Sequence, residues 1–539
     1  MNMNLTKLLK SKIMNSKNKY FLLLFSLLFI FLLYFKIDFR FENGIFCCGD
    51  DYDYYSHAET IAIDKDFDYS NQLKGFEDRR FNLNGKIAPK GFVGSGLLAS
   101  PFLFLGNQID LLIINYSPQN YSDFLSFKLL FYSLSAIFYM SLTTLLLKKS
   151  VKYLDQDISH LEILLFYSSS GVIYYAFERY SMPHIYETFT ITCVIYFTLK
   201  HLEKGSGNIY AFLIPLSMLL AFLVRLTNYY VVIIPLIVKI ILKKVNAKNV
   251  YLNKFFLFSC LISSGIYAYI NNKIYGIVTL NPETLYKANG ILAGFVKDIN
   301  YTEFLLENIK HVFLILFGQE FGIFWFAPII FFGILYSTIS KNNSSFKEKI
   351  LLLIPFGMCV FSVLIWKSTA SSYGFRYLSS LVPLSIIIFY SNAKFKYFRY
   401  FKYLLIVISI FSILSILFFE TTELTQLSTT EQLNSFGRNI KYVEPEYLKG
   451  VILSFFQFES YLKIFTTSFL GVIAFKFLLS IFDKDVIFDN LANYNLPTNN
   501  PDFINYVDEI QIVSSIKIVF IFIFLLYLAI FYLKEFQNE

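Results

Sequence analysis

The densest set of ionisable side chains in the chain is Gly49-Asp50-Asp51-Tyr52-Asp53-Tyr54-Tyr55, with three carboxylates in four positions. Carboxylates this crowded raise one another's pKa, and one of them can serve as a general base. A solvated acidic loop is the plainer reading of the same residues. Asp51 and Asp53 also have the Asp-x-Asp spacing that holds a divalent cation in enzymes using nucleotide sugars. Four cations stand near the ends of apolar runs: Arg225 and Arg376, and the pair Lys86 and Lys90. Glu178, His184 and Glu320 sit at the mouths of other apolar runs, where an ionisable residue is a functional candidate or a satisfied structural one. Cysteine offers no metal site. Cys193, Cys260 and Cys359 lie inside apolar runs, and the adjacent pair Cys47 and Cys48 bridges only with strain.

The elements that must position these residues are membrane helices. Apolar residues are 55% of the 539, and charged residues only 16%, against about 25% in soluble domains. Mean hydropathy is +0.52. There is too little polar surface here for several water-facing globules, and too much apolar sequence for a disordered chain. The excess of 47 Lys and Arg over 39 Asp and Glu falls in short clusters between apolar runs, which marks membrane loops rather than a nucleic-acid-binding surface. Apolar runs predict crossings at 20–35, 123–147, 161–177, 184–200, 209–224, 228–242, 252–270, 322–339, 350–366, 376–391, 403–420, 458–482 and 516–533, about thirteen in all.

The basic clusters set the expected orientation. Lysines 7, 10, 12, 17 and 19 precede the first run, which predicts a cytoplasmic N-terminus and a retained first helix. The run 91–106 is best read as interfacial or re-entrant. Five later clusters then fall inside: Lys148, Lys149 and Lys152; Lys200 and Lys204; Lys243, Lys244 and Lys248; Lys341, Lys347 and Lys349; Lys394, Lys396 and Arg399. Trp325 and Trp366 come to the outer interface. The first outer loop, 36–91, carries 11 acidic and 8 basic residues and lies beyond the cytosol, where nucleotide sugars are made. That argues against the Asp-x-Asp metal reading, although a divalent cation at Asp51 and Asp53 stays open.

Several of these motifs together resemble those of GT-C glycosyltransferases, the polytopic enzymes that use polyprenyl-phosphate sugars, including protein O-mannosyltransferases and lipid A aminoarabinose transferases. The stretch from Gly49 to Asn71 is similar to the acidic opening of that superfamily's first outer loop, with Asp51 where Glu is usual. Pro89-Lys90-Gly91-Phe92-Val93-Gly94 looks like its Pro/Gly-rich lead into a membrane-hugging helix. Tyr174-Tyr175-Ala176-Phe177-Glu178 with His184, Arg225-Leu226-Thr227-Asn228, Gly322-Ile323-Phe324, and Trp366 through Gly374-Phe375-Arg376-Tyr377 resemble later outer motifs. The likeness covers roughly 20–390.

The resemblance implies an all-α integral membrane GT-C-like bundle, with a catalytic module over 1–420 and outer loop plus further helices over 421–539. It implies inverting transfer of a sugar from a polyprenyl-phosphate donor to a lipid, polysaccharide or protein acceptor. Asp50 is then the base, with Asp51 second. Arg376 and Arg225 bind the donor phosphate, a group that guanidinium can grip through two oxygens, and Lys86 and Lys90 assist. Glu178, His184 and Asp53 line the acceptor side. No cofactor is required, and the expected location is a bacterial cytoplasmic membrane with the site on its outer side. A flippase would show internal repeats and paired broken helices, and a polymerase or ligase of lipid-linked glycans would show basic residues in a late outer loop. The sequence shows neither repeats nor paired broken helices, and loop 421–457 mixes Arg438, Lys441 and Lys449 with several Glu.

Overall fold

A computed structural model of the protein describes residues 49–74, 85–116, 127–156, 158–177, 179–203, 207–242, 250–280, 285, 312–319, 321–339, 345–366, 374, 376–416, 429–433, 439–443 and 447–457. The crossings expected at 20–35, 458–482 and 516–533 lie outside them. The described chain is helical apart from one antiparallel ribbon, β1 (Thr429–Leu433) with β2 (Asn439–Val443), paired Thr429 to Val443 and Leu433 to Asn439. That ribbon falls in the late loop and was not expected from the sequence.

The helices in chain order are α1 (Gly49–Glu59), α2 (Val93–Tyr116), α3 (Phe127–Lys152), α4 (His160–Tyr167), α5 (Ile173–Phe177), α6 (His184–Leu202), α7 (Ile209–Val224), α8 (Ile234–Ile241), α9 (Lys254–Tyr275), α10 (Ile323–Phe326), α11 (Pro328–Ile339), α12 (Phe346–Trp366), α13 (Val382–Ser391), α14 (Phe398–Ser415) and α15 (Tyr447–Ser454). Three of them, α2, α3 and α14, are long and apolar enough to cross a membrane by length and composition. Their outward positions include Leu105, Leu112, Phe138 and Val407, all exposed and apolar, as lipid contact requires.

The run 91–106, expected to be interfacial or re-entrant, opens the 24-residue α2, which contains Pro101 and is of crossing length. Gly94 at its start meets Leu223 and Val224 at the end of α7, and Gly106 meets Phe127 and Lys128 at the start of α3. The expected crossing 161–177 is interrupted, as is 322–339, where Ala327 leaves helical geometry between α10 and α11. Between α4 and α5 the chain makes a π turn in which Gly171 takes φ +77°, a left-handed conformation that glycine enters without steric cost. Between α7 and α8 it passes through an extended Arg225 and a 3-10 turn, Leu226–Ile233.

Several hydroxyl side chains within the packed helices satisfy their own donors locally. Thr143, Ser150, Thr198 and Ser217 each donate to the carbonyl four residues back, at 2.6, 2.8, 2.7 and 2.9 Å. Helix α3 runs antiparallel to α2, since the Tyr139 hydroxyl donates to Leu98 O at 3.0 Å while Gly106 abuts Phe127 and Lys128. Buried Asp110 accepts from the N–H groups of Phe127 and Lys128 at 2.8 Å each, satisfying donors at the start of α3. Helix α6 runs parallel to α3: Tyr186 meets Ser135, Phe189 meets Tyr139 and Tyr196 meets Tyr153.

These pairings sort the charges by end. Lys200 lies over the Tyr153 ring, beside Lys149 and Lys152 at the end of α3. Glu162, two residues into α4, accepts from the Tyr390 hydroxyl and pairs with Lys402 at 2.6 Å, which brings the 394–402 cations to the same end. Tyr336 packs on Phe395 and Phe398, and Lys349 donates to Thr338 O at 3.1 Å, adding the start of α12. Described members of four of the five basic clusters expected inside therefore share one end of the bundle.

Candidate functional site

The opposite end is built around α1. Asp50 and Asp51 occupy its first turn, where carboxylates complement the exposed backbone N–H groups. Successive helical residues point about 100° apart, so the three carboxylates diverge. Asp50 points outward and is 57% exposed, with Oδ2 3.3 Å from Nη1 of Arg376, whose side chain is 14% exposed. Asp51 points into the bundle and is fully buried. It pairs with Arg179 Nη2 at 2.5 Å and also accepts from the Ser181 hydroxyl. Asp53, also buried, accepts from the backbone N–H of Lys90 at 3.2 Å.

Asp51 is placed to anchor α1, since both its oxygens are engaged and solvent does not reach it. Asp53 meets the Lys90 N–H instead of the Arg179–Ser181 turn, and among the described residues no group of three His, Cys, Asp or Glu could hold a metal. Arg179, the sequence neighbour of Glu178, pairs with Asp51. Glu178 and Glu320 lie outside the described residues.

The segments carrying α1 meet closely because glycine leaves room. A Cβ at Gly94 would lie 2.3 Å from Val224 N, and one at Gly96 would lie 2.4 Å from the His57 Cβ. His57 then locks the arrangement. Its Nδ1 lies 2.7 Å from the Tyr69 hydroxyl and its Nε2 lies 2.9 Å from Gly91 O, joining α1, the following loop and the lead into α2. The carbonyl can only accept, so Nε2 carries the proton and Nδ1 accepts from the tyrosine. Burial pushes the His57 pKa down to about 4, opposed by its bond to Gly91. At the other end of α1, Glu59 pairs with Lys128 at 2.9 Å and accepts from the Tyr55 hydroxyl at 3.0 Å.

Beneath Asp50 and Arg376 lies a buried polar cluster. Arg225, at the break after α7, stacks on the Tyr377 ring at 4.1 Å and faces Glu187 Oε2 at 3.7 Å. Arg376 lies over that same ring at 5.4 Å. His184 Nδ1 is 3.3 Å from Glu187 Oε2 and 3.1 Å from Ser379 Oγ, and the Ser379 hydroxyl donates to Arg376 O at 2.8 Å. The ring of Tyr175 covers His184 at 4.3 Å. Gly374 at φ +69° turns the chain into the 3-10 segment Arg376–Leu381, setting Arg376 over the cluster.

Arg225, Arg376, His184 and Asp50, drawn from four stretches of sequence, thus come together. Lys86 does not join them: its ammonium donates to Lys273 O at 2.7 Å, near the carboxyl end of α9, where a cation complements the helix dipole. Lys90 enters through its backbone N–H to Asp53. Glu187 escaped the sequence reading, although an ionisable residue three positions after His184 within an apolar helix is the signal that would have found it.

Three guanidinium–carboxylate pairs result: Arg179 with Asp51, Arg225 with Glu187, and Arg376 with Asp50. An unpaired charge in a low-dielectric interior is costly, so the two buried arginines need permanent partners. The third pair opens to solvent. An exposed carboxylate beside a guanidinium can take a proton from one group while the cation holds an anion.

No family model, curated protein or solved structure matches the chain.

Proposed function

We propose that the protein is a multi-pass membrane glycosyltransferase of GT-C type, with about thirteen crossings and its site on the extracytoplasmic side of a bacterial cytoplasmic membrane. It transfers a sugar from a polyprenyl-phosphate donor to a lipid, polysaccharide or protein acceptor, with inversion. Asp50 accepts the acceptor's proton, and Arg376 stabilises the departing phosphate. Arg225, whose charge is matched by Glu187, supports Arg376 through Tyr377. His184, expected beside the acceptor, belongs to that supporting cluster.

The observation that carries this reading is the solvent-open contact between Asp50 and Arg376, 326 residues apart in sequence, at the end of the bundle away from the lysine clusters. A base and a phosphate-binding cation side by side are the two groups that such a transfer needs.

Purified protein is incubated in detergent with a labelled polyprenyl-phosphate sugar and a panel of acceptors. Release of polyprenyl phosphate by the wild type, lost in Asp50→Asn, is the expected result. Full release by Asp50→Asn removes the assignment of the base.

A second reading has its own observation. The π turn at Ser168–Val172, with Gly171 at φ +77°, breaks one expected crossing, and transporters build binding sites from broken helices. On that reading the protein moves a lipid-linked saccharide across vesicles without cleaving it, and no polyprenyl phosphate is released.

A further inference from the structure

The three arginine pairs are not equivalent. Arg179 and Arg225 face carboxylates that are fully buried, so neither partner can leave without stranding a charge. Arg376 faces Asp50 through a single contact of 3.3 Å, on the only one of the three carboxylates that is mostly exposed. Its Nε is buried and has no hydrogen-bond partner among the described residues, so its guanidinium is under-used as a donor. Tyr377 lies beneath the guanidinium, and Ser379 tethers the Arg376 backbone to His184.

We propose that the donor's phosphate replaces Asp50 on Arg376, so that donor binding itself frees the base. In the unliganded protein the carboxylate is held as the counter-ion of Arg376. When a phosphodiester takes that guanidinium, Asp50 is released from its counter-ion and remains exposed to the acceptor. The donor therefore binds first, and the base is not available to water or acceptor without it. This inference rests on the proposed donor class and adds the order of events to it.

The test is a double-mutant cycle on binding of a long-chain polyprenyl phosphate in detergent, with inorganic phosphate titrated in parallel. The proteins are wild type, Asp50→Asn, Arg376→Gln and the double variant, with Arg376→Lys as a second variant should the Gln form not fold. Exchange predicts that Asp50→Asn tightens Kd by ~2- to 5-fold, the worth of the exposed pair it removes. It predicts no tightening when Arg376 is Gln. Equal tightening in both backgrounds means plain repulsion and overturns the inference, as does unchanged or weaker binding by Asp50→Asn. If the coupling appears with inorganic phosphate while the lipid does not bind, the exchange stands and the proposed donor falls. If the wild type binds neither ligand, both fall.

Discussion

Asp50 and Asp51 are adjacent, chemically identical and separated by one helical step, so the same substitution at each is a sharp test of how the site is built. Asp51→Asn removes the Asp51 carboxylate from the Arg179 guanidinium, which is 3% exposed. Removing one member of a buried ion pair costs ~3–5 kcal/mol. Asparagine keeps one acceptor oxygen and can retain the Ser181 bond, so the lower part of that range, ~3 kcal/mol, is the expected loss. Asp50→Asn removes an exposed contact worth at most about 1 kcal/mol. At roughly 2–4 °C of melting temperature per kcal/mol, Asp51→Asn should melt ~6–12 °C below the wild type and Asp50→Asn within about 4 °C of it. The assay is thermal unfolding of detergent-purified protein, followed by loss of the monodisperse peak on size-exclusion chromatography. Transfer activity should show the reverse pattern, abolished by Asp50→Asn and partly retained by Asp51→Asn at low temperature. Equal melting temperatures for the two variants would refute the division into base and anchor.

Acid should loosen the loop that carries α1. The folded-state pKa of His57 is depressed to about 4 from 6.5, so its contribution is complete above about pH 6.5 and is lost as pH falls towards 4. The full loss is about 3 kcal/mol, and proteolysis of the 60–90 segment against pH should report it. His57→Gln should flatten that profile. Gly94→Ala should destabilise by ~1–3 kcal/mol, because the new methyl meets the Leu223–Val224 backbone, and the melting temperature should fall accordingly. Single cysteines placed by Lys149→Cys and Lys396→Cys should label from the same face of sealed vesicles, with Ser70→Cys labelling from the other. Labelling of all three from one face would contradict the separation of charges by end.

Helicity and the approximate positions of most interior segments were legible from the sequence because apolar runs of this length have few other solutions in lipid. The alternation of runs with lysine clusters likewise foretold that Lys152, Lys200, Lys349 and Lys396 would gather at one end. Asp50, Arg225, Arg376 and His184 could be picked out one by one, since ionisable residues beside apolar runs are rare enough to notice. Their roles could not be separated. The run 91–106 was legible as an apolar element but its full length was not, because Asn107, Gln108 and Asp110 end the apolar run while the helix continues past them to Tyr116.

Tertiary structure alone decided which carboxylate faces water and which is paired in the interior. Asp50 and Asp51 have the same side chain and the same local sequence, and only the packing of α1 against the Arg179–Ser181 turn distinguishes them. It also decided that Arg225 belongs to Glu187, a partner 38 residues earlier in the chain and on a different helix. Composition and periodicity report how each residue partitions between lipid and water. Pairing between charges depends on distances across the bundle, and these exist only once the helices have packed.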